Sequence, residues 1–150
     1  MVFRYENNFN FTKIYNLEVM NEFLDLNSLI TRKTISGWGR RDFVNSKLLN
    51  LGSSQEIIDL IKGSKTSSLI TRGLGRSYGD AAQLKDDFVL NIGFSNSISL
   101  SGNQLTVGGG VSISKLLEVI IPLGYFLPVS PGSAQVTIGG AVAADVHGKN

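Results

Sequence analysis

The residues with the most chemical content form one run, Thr71-Arg72-Gly73-Leu74-Gly75-Arg76-Ser77-Tyr78-Gly79-Asp80, followed by Ala81. Glycine at every second to fourth position allows φ > 0, and such backbone lets successive N–H groups converge into an anion-binding nest. A pyrophosphate suits a nest of this kind. Main-chain donors meet its charge with no side chain in the way, and Arg76 or Ser77 can add further contacts. The spacing is G-x-G-x-x-x-G and no amphipathic helix is expected after Gly79, so a nicotinamide Rossmann fingerprint is disfavoured. In Gly63-Ser64-Lys65-Thr66 a serine separates glycine from lysine, which excludes a P-loop. Standing alone, the run reads equally well as a ligand-free turn.

A second run, Ser130-Pro131-Gly132-Ser133-Ala134-Gln135-Val136-Thr137-Ile138-Gly139-Gly140-Ala141-Val142-Ala143-Ala144-Asp145-Val146-His147-Gly148, is built from small residues that allow something large and flat to approach. Thr137 is expected to cap a short helix beginning at Gly139 and Gly140, whose free N–H groups would again face an anion. Pro128 and Pro131 stiffen the entry. His147 is the one histidine, and an imidazole is the side chain that titrates near neutrality. Taken alone it is more often a structural hydrogen-bonder than a catalyst. On a strand, Asp145 would point away from it.

These runs need elements to hold them. Residues 68–71 read as a buried strand feeding the glycine loop, residues 87–92 as another strand, and residues 97–100 with 104–107 as a hairpin around Ser101-Gly102-Asn103. Ser53-Ser54-Gln55-Glu56 has the form of a capping box, ahead of Ile57, Ile58 and Ile61 at helical spacing, with Gly63 as the stop. Ile113, Leu116, Leu117, Ile120 and Ile121 fall on one face of a helix begun by Ser112 and ended by Pro122 and Gly124. Residues 18–29 suggest a further helix within an N-terminal arm of residues 1–35, and the domain proper begins at the Ser36-Gly37-Trp38-Gly39-Arg40-Arg41 turn. Helices and strands mix without strict alternation, so the expected class is α+β.

Composition narrows the chemistry. The 150 residues contain no cysteine and one histidine, which removes a disulfide scaffold, a thiol nucleophile, a cysteinyl cofactor link and a multi-histidine metal site. The net charge is +2 with basic residues spread along the chain, which argues against nucleic acid. No apolar stretch approaches bilayer length, and residues 1–11 lack the pattern of a secretory signal, so the expected compartment is the cytosol, with peripheral membrane contact left open.

Taken together, Ser36-Gly37-Trp38-Gly39-Arg40, the glycine run at 72–80 and the stretch from Val129 to Asn150 resemble the FAD-binding (PCMH-type) domain of the vanillyl-alcohol oxidase/p-cresol methylhydroxylase flavoproteins. The likeness is nearest the branch of the decaprenylphosphoryl-β-D-ribose oxidases, with related lactone oxidases on the same scaffold. The resemblance implies that residues 71–81 wrap the FAD diphosphate. It implies that Gly132, Thr137, Gly139, Gly140, Ala144, Asp145, Val146 and His147 line the rest of the cofactor, and that His147 orients a sugar hydroxyl or assists proton removal. Covalent members carry a histidine before the serine of the first motif, where this chain has Arg76, so non-covalent FAD is implied. The implied reaction removes hydride from an alcohol carbon of a sugar, lactone or polyprenyl-phosphate sugar. Relatives continue past this point into a substrate domain, so the chain is expected to be an N-terminal part of such an enzyme; the alternative is a non-catalytic nucleotide-binding or interaction module, or a gene remnant.

Overall fold

In the computed structural model, residues 26–63 and 68–148 are described. In chain order they form α1 (Leu26–Leu29), β1 (Ile30–Ile35), β2 (Val44–Leu49), α2 (Ser54–Gly63), β3 (Leu69–Arg72), β4 (Phe88–Asn91), β5 (Ile98–Ser101), β6 (Gln104–Val107), α3 (Ile113–Ile120) and α4 (Ile138–Ala143). Strands β1 to β4 make one sheet in the order β1-β2-β4-β3, and β5 pairs with β6 alone. Strand β1 runs antiparallel to β2, whereas β4 is parallel to both its neighbours.

Ser53 caps α2 as expected, but the Glu56 carboxylate reaches back to the N–H of Gly52 and not to that of the cap residue. The Glu56 N–H donates to the Ser53 hydroxyl at 3.2 Å, and the Glu56 carboxylate accepts from the Gly52 N–H at 2.8 Å. Helix α2 connects β2 to β3, and Ile57 and Leu60 pack on Leu49, Leu51 and Leu90. Val89, at the centre of the sheet, has no exposed surface.

A second core lies between the β5–β6 hairpin and α3. The hairpin turns on Gly102, φ 56°, at the first central position, where a tight turn takes a left-handed residue. Ser112 caps α3 by accepting from the Lys115 N–H at 3.1 Å, and Ile113, Leu116 and Ile120 are buried with Leu105 and Val111. Ile121 was expected on the same face but is exposed, because the chain tightens into a 3-10 turn over Ile121–Leu123 before Gly124 stops it at φ 81°.

The structure corrects the expected arm. Residues 30–35 are the edge strand of the main sheet, in six-pair register with β2, so the sheet begins before residue 36. Of the helix expected over residues 18–29, the turn Leu26–Leu29 is helical and the remainder lies outside the described residues. The mixed sheet with its helices bears out the α+β class.

Candidate functional site

Strand β3 ends at Arg72, and the chain must return to the start of the parallel neighbour β4. Parallel strands need a long crossover, usually helical. Here residues 73–87 are irregular instead. Among the described residues, the main-chain N–H groups of residues 74–78 donate to no protein acceptor. Of these residues only Gly75 is buried, and buried main-chain donors are nearly always paired, so its free N–H beside exposed, equally free neighbours offers an acceptor a place. Gly75 is buried, at φ 65°, and Gly79 turns the loop again at φ 64°. A Cβ on Gly75 would overlap the Arg72 guanidinium.

Two groups brace the loop. The Arg72 Nη1–H donates to the Ala82 carbonyl at 2.9 Å and the Nη2–H to the Ser36 carbonyl at 2.7 Å. Burial pulls the pKa of this guanidinium below the ordinary arginine value. From outside, the Trp38 N–H donates to the Ser77 carbonyl at 2.8 Å, and a Cβ on Gly37 would overlap the carbonyl oxygen of Gly79. The Arg76 guanidinium lies 4.6 Å from the Trp38 ring centre and its Nε–H donates to the Gln135 carbonyl at 3.1 Å. Arg76 thus bridges the first glycine run to the second.

The second run meets the loop at Thr137, which is 3% exposed. Its hydroxyl caps α4 by accepting from the Gly140 N–H at 3.1 Å, and it occupies the space that a Cβ on Gly73 would need. One expectation is overturned here. The first N–H groups of α4 are not free to meet an anion: Ile138 donates to the Val111 carbonyl and Gly139 to the Gly109 carbonyl, both at 2.8 Å. The amide of Gly140 serves the cap and that of Ala141 the Thr137 carbonyl. Small residues at 139 and 140 therefore serve close packing, with Gly139 set against Gly109. Thr137→Ala is expected to cost about 1 kcal/mol, read from the denaturant midpoint, since a buried cap is lost.

Between the two runs lies a cleft of about 530 Å³, within the range of small-molecule sites. Of the expected residues, Thr71, Gly73, Leu74, Gly75, Arg76, Ser77, Tyr78, Ala81, Thr137, Gly140, Ala144 and Val146 line it. Arg72, Gly79, Asp80, Gly132, Gly139, Asp145 and His147 do not. Ala82, Val136, Ala141 and Ala143 line it without having been singled out; the helical spacing of Gly140, Ala141 and Ala144 was the available signal. Among the described residues the only charged lining side chain is that of Arg76, so these walls accept an anion without repulsion.

His147 stands apart, its side chain 88% exposed, with Nε2 3.8 Å from the Asp145 carboxylate. Residues 146–148 form no strand, and Asp145 takes φ 45°. The two side chains therefore converge, contrary to the expected opposite faces. Gly148 packs where a Cβ would overlap the Ser130 carbonyl, which joins the ends of the second run.

Sheet, irregular glycine crossover with free N–H groups, and capped small-residue helix together frame this one cleft. The family model described as the FAD binding domain matches residues 47–150, and the chain belongs to that family. It is 38% identical over 126 residues to decaprenylphosphoryl-β-D-ribose oxidase of Mycolicibacterium smegmatis, covering 80% of this chain and 27% of that protein. Among solved structures, cholesterol oxidase from Brevibacterium sterolicum superposes with a TM-score of 0.69 at 16% identity, over 79% of this chain and 25% of that one. A solvent-stable cholesterol oxidase gives 0.66 at 18% identity, over 83% and 26%. The PCMH-type fold expected from the motifs holds, the cofactor is FAD, and the chain spans about a quarter of the length of these relatives. No helix among the described residues is long and apolar enough to cross a membrane.

The residues present fit the cofactor. A loop that turns through Gly75 at positive φ, has unpaired donors at 74–78 and, among the described residues, sets no acidic side chain in the cleft suits a dinucleotide diphosphate.

Proposed function

We propose that the main-chain N–H groups of residues 74–78 hold the FAD diphosphate non-covalently, and that the enzyme containing this domain oxidises a CH–OH group of a sugar or lactone, such as a polyprenyl-phosphate sugar. The observation that carries the reading is the row of free donors at 74–78, which turns at positive φ on Gly75 with the Arg72 guanidinium packed against it. Ala81, Gly140 and Ala144 keep the walls low enough for a flat ring to approach. Non-covalent attachment is supported by Arg76, which stands where covalent relatives carry a histidine, and by the absence of cysteine. When bound, the flavin supplies a two-electron acceptor for hydride from the alcohol carbon.

His147 is the residue of this chain assigned to the substrate. Its imidazole, open to solvent with the Asp145 carboxylate 3.8 Å away, is available to orient a hydroxyl and to accept its proton. The similarity to decaprenylphosphoryl-β-D-ribose oxidase supports a sugar alcohol as the substrate class. The test is anaerobic flavin bleaching by an aldose or lactone alcohol in the flavin-loaded protein. His147→Ala is expected to slow that bleaching by roughly 10²-fold or more, the usual share of a general base, with FAD affinity unchanged. Bleaching at the parent rate would remove His147 from the reaction.

A further inference from the structure

Arg72 carries a charge that the fold leaves unanswered. Among the described residues it has no acidic partner, the ion pairs there being Lys115–Glu118 and His147–Asp145. Its hydrogen bonds go to two neutral carbonyls, of Ser36 and Ala82. Desolvation weakens its hold on the proton. The guanidinium is half-buried and borders a second, open cavity, so water reaches it, but a cation with no carboxylate partner this close to the loop still needs an explanation.

Its position supplies one. The guanidinium packs against Gly75, in the space a Cβ there would occupy, and so touches the backbone of the loop whose N–H groups are unpaired. Its fork also ties the far end of the loop, Ala82, to the Ser36 turn on the other side. Arg72 does not line the cleft itself.

We infer that Arg72 is a positioning residue whose guanidinium sets the curvature of the diphosphate loop and whose charge is answered by the bound diphosphate. The inference rests on the diphosphate reading of the loop. A bound diphosphate would supply the anion that the described residues do not. The domain thereby favours a doubly charged diphosphate over a neutral flavin.

The test compares FAD with riboflavin, which lacks both phosphates, by fluorescence titration at low and high salt. Arg72→Gln is expected to weaken FAD binding by about 30-fold, the scale of a lost charged interaction, and to flatten its salt dependence. Riboflavin affinity should stay within about twofold. Arg72→Lys keeps the charge and loses the fork, so its salt dependence should match that of the parent; this variant decides the matter if Arg72→Gln does not fold. Equal loss of FAD and riboflavin, or an unchanged salt dependence in Arg72→Gln, overturns the role of Arg72. A parent protein that binds riboflavin as tightly as FAD overturns the diphosphate reading instead.

Discussion

Replacing Gly75 by valine is expected to leave a folded protein with no measurable FAD. At φ 65° an L side chain is strained by about 1–2 kcal/mol, and at this position its Cβ would also meet the Arg72 guanidinium. The loop must open or the arginine must leave its two carbonyls; either change scatters the N–H groups that meet the ligand. A domain with ordinary stability of about 5–15 kcal/mol survives that cost, whereas a nest loses its geometry. Gly79→Ala separates the two effects. Gly79 has the same left-handed backbone, φ 64°, but open space around a Cβ, so it incurs the strain alone. FAD affinity is expected to fall by more than about 100-fold in Gly75→Val and by less than about 10-fold in Gly79→Ala, a strain of 1–2 kcal/mol shared with the free state. Equal losses would mean that strain, and not the approach of the arginine, governs the loop.

The second large effect is expected at a distance in sequence. Gly37→Ala places a methyl group against the carbonyl oxygens of Gly79 and Ser77. Main-chain atoms cannot rotate away as a side chain can, so the turn and the loop must separate. Overpacking of this kind costs about 1–3 kcal/mol, and the Trp38 N–H bond to the Ser77 carbonyl is strained with it. The expected result is a loss of about 10- to 100-fold in FAD affinity, the same 1–3 kcal/mol expressed in binding. The sole tryptophan, stacked with Arg76, reports the change as altered fluorescence. Gly39→Ala, two residues on, meets nothing within 4 Å and should bind FAD as the parent does. Unchanged affinity in Gly37→Ala would show that the Ser36–Trp38 turn does not support the loop.

Why the glycine loop was readable and β1 was not has a physical cause. Glycines at 73, 75 and 79 announce backbone freedom directly, and the structure uses φ > 0 at two of them and close approach to Thr137 at the third. Strand β1, Ile-Thr-Arg-Lys-Thr-Ile, is an edge strand exposed through its middle, so it has no alternating apolar signal. Strand β2 hides its pattern differently: Ser46 is 2% exposed and satisfies its hydroxyl on the Leu84 carbonyl at 2.6 Å, so a polar residue stands where an apolar one was expected. The Thr137 cap was legible because the donor it serves is three residues away. The fate of the α4 amides was not, because their acceptors, Val111 and Gly109, come from a distant loop. Gly108-Gly109-Gly110 carried an unread signal. A Cβ at Gly108 or Gly110 would overlap the carbonyls of Ser95 or Ile92, and Gly109 meets Gly139, so the triplet lets two loops pack backbone to backbone.

On the proposed reading, FAD is held by main-chain donors and without a covalent link. The direct measurement is to express the 150 residues, saturate with FAD, remove free ligand by desalting, denature, and assay the flavin released, with AMP and NAD as parallel ligands. One FAD per chain, all of it released, with neither AMP nor NAD retained, is the result predicted. A folded chain that retains no FAD, that keeps its flavin through denaturation, or that holds NAD equally well would contradict the account.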